Sequence, residues 1–206
     1  MADTIKRKHA DMTLSNPELF FRQVIENAGG VPFQLIFGQS LGTGYYKYIG
    51  TGIKDLLGIP PSKFTEELFG SLVEKVNPLL PGIPIDPSEC RRTMIKGNIP
   101  HYKADILIRT TKGELKWIND SSLPIHDEKT GNIIGAQGIL IDIDERKRIE
   151  KDREQNISLL RATLESTADG ILVVDSSGKI SDFNNQFAQM WRIPYTILTA
   201  HDDKQA

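Results

Sequence analysis

Four basic side chains fall close together in the middle of the sequence: Arg91, Arg92, His101 and Lys103. Guanidinium groups donate paired hydrogen bonds that suit planar anions, so this basic cluster could bind a carboxylate or a phosphate. The same residues could equally form a solvated basic face. The cluster is therefore a candidate anion site with a structural alternative.

A second set of side chains suits an apolar ligand, because aromatic and thioether groups line cavities as well as cores. The candidates for a ligand or cofactor cavity are Tyr46, Tyr48, Met94, His101 and Trp117. Residues of these types at strand and helix positions can also fill a solid core. The sequence leaves both interpretations open.

Catalytic chemistry has little support in the sequence. His101 or His126 beside a carboxylate could carry out acid–base chemistry, but His126 falls in a polar turn where solvent exposure is expected. The sequence has no nucleotide-binding Asp-x-Gly-x-Gly box, Gly-Gly-Asp-Glu-Phe motif, Walker loop or Gly-x-Ser-x-Gly elbow. The single cysteine, Cys90, can form neither an intramolecular disulfide nor a cysteine-based zinc site. We expect a cytoplasmic protein that binds no metal and is not itself an enzyme.

The composition narrows the possible partners. The 206 residues are 39% hydrophobic and 25% charged, as in ordinary globular proteins. The formal net charge of −2 provides no general basic field for nucleic acid or an anionic membrane. No stretch approaches the ~18 apolar residues that a membrane helix needs. Neither nucleic acid nor a membrane is an expected partner.

Hydrophobic spacing predicts an α+β fold with an antiparallel sheet. Helical spacing and capping signals predict helices at residues 17–28, 51–57, 65–76 and 87–96, with an irregular proline-rich loop at 77–86. Alternating patterns predict strands at residues 32–37, 44–50, 102–110, 114–124 and 133–143. The predicted order is two strands, then several short helices, then three strands. Because strands and helices do not alternate as in a parallel sheet, this order indicates an antiparallel sheet.

The chain is predicted to have four segments: an arm at 1–16, a domain at 17–143, a connector helix at 144–166 and an incomplete second domain at 167–206. Opposite charges at helical spacing, such as Asp144 and Arg148, support a solvated connector. Its apolar positions, from Ile149 to Leu164, could pair with a second copy or pack on their own domain. Both arrangements stay open.

Residues 168–191 repeat the strand, turn, strand and helix that open the first domain, which predicts a second copy of the same unit. The copy stops before its later strands, and about 40 residues are too few for an independent core. We expect a cut chain, a truncated gene or a unit that borrows surface from its neighbour.

The end of the first domain resembles the PAS sensory family. The resemblance rests on the hairpin Glu114-Leu115-Lys116-Trp117-Ile118, on Gly131-Asn132-Ile133-Ile134-Gly135, and on the exit Asp142-Ile143-Asp144-Glu145-Arg146-Lys147. Asp144 replaces the usual Thr of the family's exit, and a carboxylate there can still cap the helix that follows. Residues 164–191 similarly resemble the start of a second PAS domain.

The resemblance implies a five-stranded antiparallel sheet with short flanking helices, around a cavity or a packed core. It implies a sensory module that detects a small molecule or a partner and relays the signal through its C-terminal helix to an output such as a histidine kinase or a cyclase. Asp142, Asp144 and Glu145 are the predicted relay residues, and a homodimer is expected. The alternative is a ligand-free PAS module for dimerisation or interaction.

The family's two best-known cofactors do not fit. PAS domains that bind flavin covalently carry cysteine in Asn-Cys-Arg-Phe-Leu, whereas Cys90 lies in Ser88-Glu89-Cys90-Arg91-Arg92. His101 lies just past the helix from which a haem ligand would come. Neither flavin nor haem is expected, and the ligand stays unknown.

Overall fold

The structure is a computed structural model that describes residues 17–193. The chain divides into two units, residues 1–147 and 148–206. The predicted N-terminal arm lies outside the described residues. Among the described helices, none is long and apolar enough to cross a membrane.

Local signals position the helices of the first unit. They are α1 (Pro17–Asn27), α2 (Ile53–Leu57), α3 (Glu66–Leu72) and α4 (Pro87–Ile95), with a 3-10 turn at Pro61–Lys63. The Asp86 side chain caps α4 by accepting a hydrogen bond from the Glu89 amide at 2.8 Å. The Thr65 hydroxyl caps α3 in the same way through the Leu68 amide at 3.1 Å. Gly58, with φ of 78°, ends α2 in the left-handed conformation that glycine adopts without strain.

Six strands form one antiparallel sheet in the order β2-β1-β6-β5-β4-β3. They are β1 (Gly30–Ile36), β2 (Tyr45–Ile49), β3 (Val73–Pro78), β4 (Tyr102–Arg109), β5 (Leu115–His126) and β6 (Ile133–Asp142). The predicted α+β fold is confirmed, and β6 is one of the two central strands, between β1 and β5.

The prediction of five strands and of one helix over 65–76 is wrong. The helix ends at Leu72, and Val73–Pro78 forms β3, which pairs Val73 with Ile108 and Val76 with Ile106 on β4. The spacing of Val73 and Val76 fits a helix, but both residues are β-branched and find cross-strand partners at the sheet edge. Tertiary pairing therefore overrides the local helical pattern.

The core of the first unit lies between the sheet and the short helices. The most buried side chains are Ile53, Leu57, Ala104, Ile108 and Ile118, each with 0% exposure. Burying a side chain the size of Ile or Leu contributes about 1.5–3 kcal/mol. Alternation along β4 directs Ala104, Ile106 and Ile108 to this core and places Asp105 on the opposite face.

The second unit begins within α5 (Asp144–Ser166) and continues through β7 (Leu172–Val174), β8 (Ile180–Phe183) and α6 (Asn185–Trp191). Asn184 is fully buried and connects these elements. Its amide nitrogen donates to the carbonyl oxygens of Leu164 (2.9 Å) and Asp169 (2.8 Å), and its Oδ1 accepts from the Ile171 amide at 2.8 Å. One buried amide thus joins the end of α5 to the hairpin.

Candidate ligand cavity and helix anchor

A cavity of about 510 Å³ lies in the first unit between the inner face of the sheet and helices α3 and α4. This volume falls within the range of small-molecule sites, ~300–1,000 Å³. Most of its wall is apolar. The apolar lining includes Phe33, Leu35, Phe37, Tyr46, Phe69, Val73, Val76, Met94, Ile106 and Leu140.

Two of the charged groups in the wall neutralise each other. Glu66 on α3 and Arg91 on α4 form an ion pair whose side chains are only 8% and 11% exposed. Glu66 also accepts a hydrogen bond from the Gly44 amide at 2.7 Å, and Arg91 donates to the Ser40 carbonyl at 3.0 Å. The pair ties both helices to the loop before β2, so it holds the cavity wall together.

Asp120 is a third charged group in the wall, and within residues 17–193 it forms no ion pair with a basic side chain. It lies on β5 between Ala104 of β4 and Leu140 of β6, and faces the cavity. Its Oδ1 atom is closed off from solvent and has no hydrogen-bond partner within residues 17–193. Burial raises the pKa of Asp120 to about 7, although hydrogen bonding with the Ser122 side chain acts in the opposite direction. A half-buried carboxyl that has one oxygen closed off from solvent and a pKa near neutrality therefore faces this cavity.

Three weakly acidic side chains surround Asp120. Burial, together with the Asp120 charge, raises the pKa of Tyr46 and of Tyr102 and raises that of the Cys90 thiol to about 11. Cys90 consequently remains a protonated thiol at neutral pH, which makes it a poor nucleophile.

Only two of the predicted cavity residues, Tyr46 and Met94, line the cavity. Met94 lines the cavity, whereas Tyr48, His101 and Trp117 are not among the lining residues. A bulge in the pairing of β1 with β2 turns Tyr46 inward and Tyr48 outward, where the Tyr48 hydroxyl donates to Glu26 at 3.1 Å.

Strand alternation places the other two residues on the outer face. Trp117 precedes the inward-facing Ile118, and His101 precedes Tyr102, which lines the cavity. The His101 Nε2 atom lies 3.0 Å from the Ser121 hydroxyl at an exposed position. Neither residue is placed to contact a molecule in the cavity.

The basic cluster is also divided. Arg91 lines the cavity, while Arg92 is exposed. His126 contacts the Gly131 carbonyl oxygen at 3.1 Å within its own turn. Within residues 17–193, no group of three or more His, Cys, Asp or Glu side chains could hold a metal ion.

The outer face of the sheet carries a second polar site, which we call the helix anchor: Asp105, Asn119, Arg146 and Lys147. Both carboxylate oxygens of Asp105 lie 2.9 Å from Nη2 of Arg146, and Oδ2 also lies 2.9 Å from Nζ of Lys147. The Asn119 amide donates to Asp105 Oδ1 at 2.9 Å. The anchor thereby fixes the first turn of α5 to β4 and β5.

The charge of Asp105 is stabilised by its partners. Burial alone would raise the pKa of Asp105, but the hydrogen bonds from Lys147 and Asn119 and the positive charges of Arg146 and Lys147 hold it below its ordinary value. Asp105 is therefore ionised at neutral pH, although its side chain is only 2% exposed.

Two of the predicted relay residues lie at the same junction. Asp144 Oδ1 accepts a hydrogen bond from the Trp117 amide at 2.6 Å, which connects α5 to β5. Asp142 Oδ1 accepts from the Asp144 amide at 3.0 Å, and its Oδ2 lies 2.9 Å from Nζ of Lys116. Glu145 is exposed and makes no side-chain hydrogen bond or ion pair within the described part of the chain.

Asp105 and Asp120 are missing from the predicted site residues. The available signal was strand alternation: Asp105 sits between inward-facing Ala104 and Ile106, and Asp120 shares the inward face with Ile118 and Ser122. A carboxylate on the inner face of a central strand is a polar group that needs an explanation.

The PAS domain family model matches residues 158–204. No curated protein matches the chain. Among solved structures, an RNA-binding light-oxygen-voltage receptor superposes with a TM-score of 0.50 at 15% identity, covering 70% of this chain and 38% of that protein.

Two bacterial sensory proteins are also similar. The N-terminal domain of a diguanylate cyclase with PAS/PAC sensor from Marinobacter aquaeolei has a TM-score of 0.45 at 21% identity, covering 57% of this chain and 98% of that one. A sensory box histidine kinase/response regulator from Burkholderia thailandensis has a TM-score of 0.45 at 17% identity, covering 69% of this chain and 98% of that one. The fold is the PAS fold, and the resemblance to the PAS domain family is confirmed.

Proposed function

We propose that the chain is a cytoplasmic sensory module in which a small molecule occupies the cavity of the first unit and α5 relays its presence to an output domain. The cavity carries the proposal, because it combines an apolar wall with a few polar groups, as small-molecule sites do. The PAS-like exit of the sequence favours a histidine kinase or cyclase as output. The chain itself acts as a non-enzymatic module.

The strands of the sheet connect the cavity directly to the helix anchor. On β5, Asp120 faces the cavity and the adjacent Asn119 belongs to the anchor. On β4, Ile106 faces the cavity and the adjacent Asp105 is the centre of the anchor. Because neighbouring residues of a strand point to opposite faces, a shift of β4 or β5 on ligand binding also moves the groups that hold α5.

The second unit fits a tandem arrangement. Residues 158–204 match the PAS family model, and the described hairpin and α6 follow the order in which the first unit begins. We propose that residues 167–206 are the N-terminal part of a second PAS domain and that α5 is the connector between the two.

Filling the cavity tests the sensor function. Ala136 lines the cavity and is 6% exposed, so Ala136→Leu places three additional carbon atoms into it. We expect at least a tenfold loss of affinity for any small molecule that raises the melting temperature of the unaltered protein, since binding must then displace the new side chain. Isothermal titration measures the loss.

The matched control for this test is Ala28→Leu, the same change at an exposed position after α1. It should leave affinity unchanged. Equal affinity of the Ala136→Leu protein and the unaltered protein would show that the ligand binds elsewhere.

The second candidate function is a ligand-free dimerisation module. It is favoured by three apolar side chains along one side of α5: Ile149, Ile157 and Leu160, which are 59%, 46% and 65% exposed. Such a seam can pair with the same seam of a second copy. A dimer is compatible with the sensor function, so the ligand-dependent melting shift is what separates the two candidates.

The dimer is tested by introducing a charge on the seam. We expect Ile157→Asp to weaken self-association at least tenfold in sedimentation equilibrium, because pairing would bury two carboxylates. Leu159 is 66% exposed but lies off the seam, so Leu159→Asp is the matched control and should retain the dimer. Equal association of the two variants would exclude α5 pairing through this seam.

A further inference from the structure

The charges around the cavity do not balance. Arg91 is paired with Glu66, which leaves Asp120 inside the cavity and the exposed Glu67 at its edge. When Asp120 is ionised, these four side chains carry one positive charge against three negative ones. An anionic ligand would add to this surplus, whereas a cation would reduce it.

Asp120 also has the geometry of a ligand contact. Its Oδ1 atom is closed off from solvent, lacks a partner within residues 17–193, and belongs to a side chain that lines the cavity. A buried acceptor without a donor is costly, and a donor supplied by the ligand would remove that cost. The surrounding wall offers hydrocarbon and aromatic surface.

From this geometry we infer that the ligand is a cationic amphiphile: an apolar or aromatic body that packs against the cavity wall and a protonated amine that binds the Asp120 carboxylate. The inference deepens the proposed sensory function and depends on it. A planar guanidinium could make the same contact, and it belongs to the same class of cationic donors.

Because Asp120 takes up a proton near neutral pH, the affinity for a cationic ligand should depend on pH in a characteristic way. The groups that face Asp120 are Tyr46 on β2, Cys90 on α4, Tyr102 on β4 and Ser122 on β5, with the Glu66–Arg91 pair in the same wall. The two tyrosines and Cys90 have raised pKa values and stay neutral between pH 6 and 8. Asp120, with its pKa raised to about 7, is the member of this group that changes charge in the interval.

A cation prefers the ionised carboxylate, so binding displaces a proton when Asp120 is protonated. With a pKa of about 7, affinity should increase about tenfold between pH 6 and pH 8. The amine itself keeps its charge in this range, since an alkyl ammonium has a pKa near ~10.

The test uses matched probes on the full chain. Each of four bodies (hexyl, decyl, phenylbutyl and naphthylethyl) is supplied as the primary amine, the alcohol and the carboxylate. Isothermal titration at pH 6, 7 and 8 in two buffers of different ionisation enthalpy yields both the affinity and the number of protons released.

We expect at least one amine to bind at least tenfold more tightly than its alcohol at pH 8, with its carboxylate weaker than both. About one proton should be released on amine binding at pH 6 and almost none at pH 8. Asp120→Asn should remove the preference for the amine and the proton release, while the alcohol still binds. Asp55→Asn, at an exposed position, should change neither.

Three other outcomes would overturn the inference, and they differ in what they mean for the proposed function. If alcohols bind in an Ala136-dependent manner and amines have no advantage, the inference is overturned and the sensor function stands. If the carboxylates bind best, or affinity decreases as the pH rises, the amine assignment is likewise wrong. If no member of the panel binds, both the inference and the proposed function fail.

Discussion

Asp120→Asn is expected to raise the free energy of unfolding above pH 7 and to change it much less near pH 4. In the unfolded chain the Asp120 carboxyl has its ordinary pKa of 3.8, whereas burial raises the folded value to about 7. Between these two values the folded state binds more protons than the unfolded state, so stability falls as the pH rises. Asparagine does not ionise, so the Asp120→Asn variant does not lose stability in this way as the pH rises.

The expected stabilisation is about 4 kcal/mol above pH 7, since the folded and unfolded pKa values differ by about 3 units and each unit corresponds to about 1.4 kcal/mol. It should increase steadily from pH 4 to pH 7 and then level off. Urea unfolding at four pH values measures it.

Asp55→Asn is the control for the loss of one negative charge, because Asp55 is exposed on α2. Its effect on unfolding above pH 7 should be well below that of Asp120→Asn. A pH-independent effect of Asp120→Asn would mean that Asp120 is fully solvated in the folded protein.

Ionised Asp120 lowers the stability of the ligand-free protein. This cost connects the proposed sensory function with the inferred cationic ligand. A cationic ligand would compensate the carboxylate, and ligand binding stabilises the folded state in proportion to the logarithm of its concentration above Kd. The same group that weakens the empty unit would therefore increase its response to ligand.

Much of this fold could be predicted because its local signals and its tertiary contacts agree. Proline at the start of α4, Asp86 as its cap and alternation along β4 all indicate the element that forms. The exit helix is predicted with the bounds that the structure shows, Asp144–Ser166, because opposite charges and good helix formers run through it.

The strand β3 and the roles of Asp105 and Asp120 could not be predicted in the same way. Residues 73–76 have helical spacing, and only pairing with β4 makes them a strand. Tyr48 shares its alternation with Tyr46 until a bulge turns it away, and a bulge has no clear signal here. The roles of Asp105 and Asp120 depend on which face α5 covers and which face encloses the cavity, and both are tertiary properties.

Asp105→Ala is expected to detach the first turn of α5 while the sheet stays folded. The substitution leaves Lys147 and Arg146 without their shared carboxylate and removes one of the two acceptors of the Asn119 amide, which keeps the Ala104 carbonyl oxygen. Removing one member of a buried ionic network leaves uncompensated groups behind. Because the Arg146 side chain is 50% exposed, solvent partly replaces the lost contact, and we expect a loss of about 2 kcal/mol.

Hydrogen exchange distinguishes detachment from general loss of stability. The Lys147 amide donates to the Ile143 carbonyl at 2.9 Å in the first turn of α5, so its protection should fall at least tenfold beyond the average change in β4 and β5. Glu145→Ala, one residue before Arg146 but without a partner in the described chain, should leave that protection unchanged. Equal protection in both variants would mean that Asp105 does not hold the helix.

The anchor should also respond to acid. The folded pKa of Asp105 lies below its ordinary value of 3.8, so the anchor contributes stability above about pH 4 and loses it as the pH falls through the lower folded value. Asp105→Ala should therefore match the unaltered protein more closely in acid than at pH 7. Asp120 has the opposite dependence: its effect on stability grows as the pH rises from 3.8 to about 7 and stays constant above that. At neutral pH the two carboxyls play different parts: Asp105 is ionised and holds the helix, while Asp120 is poised between its charged and neutral forms at the cavity, one residue along β5 from Asn119 of the anchor.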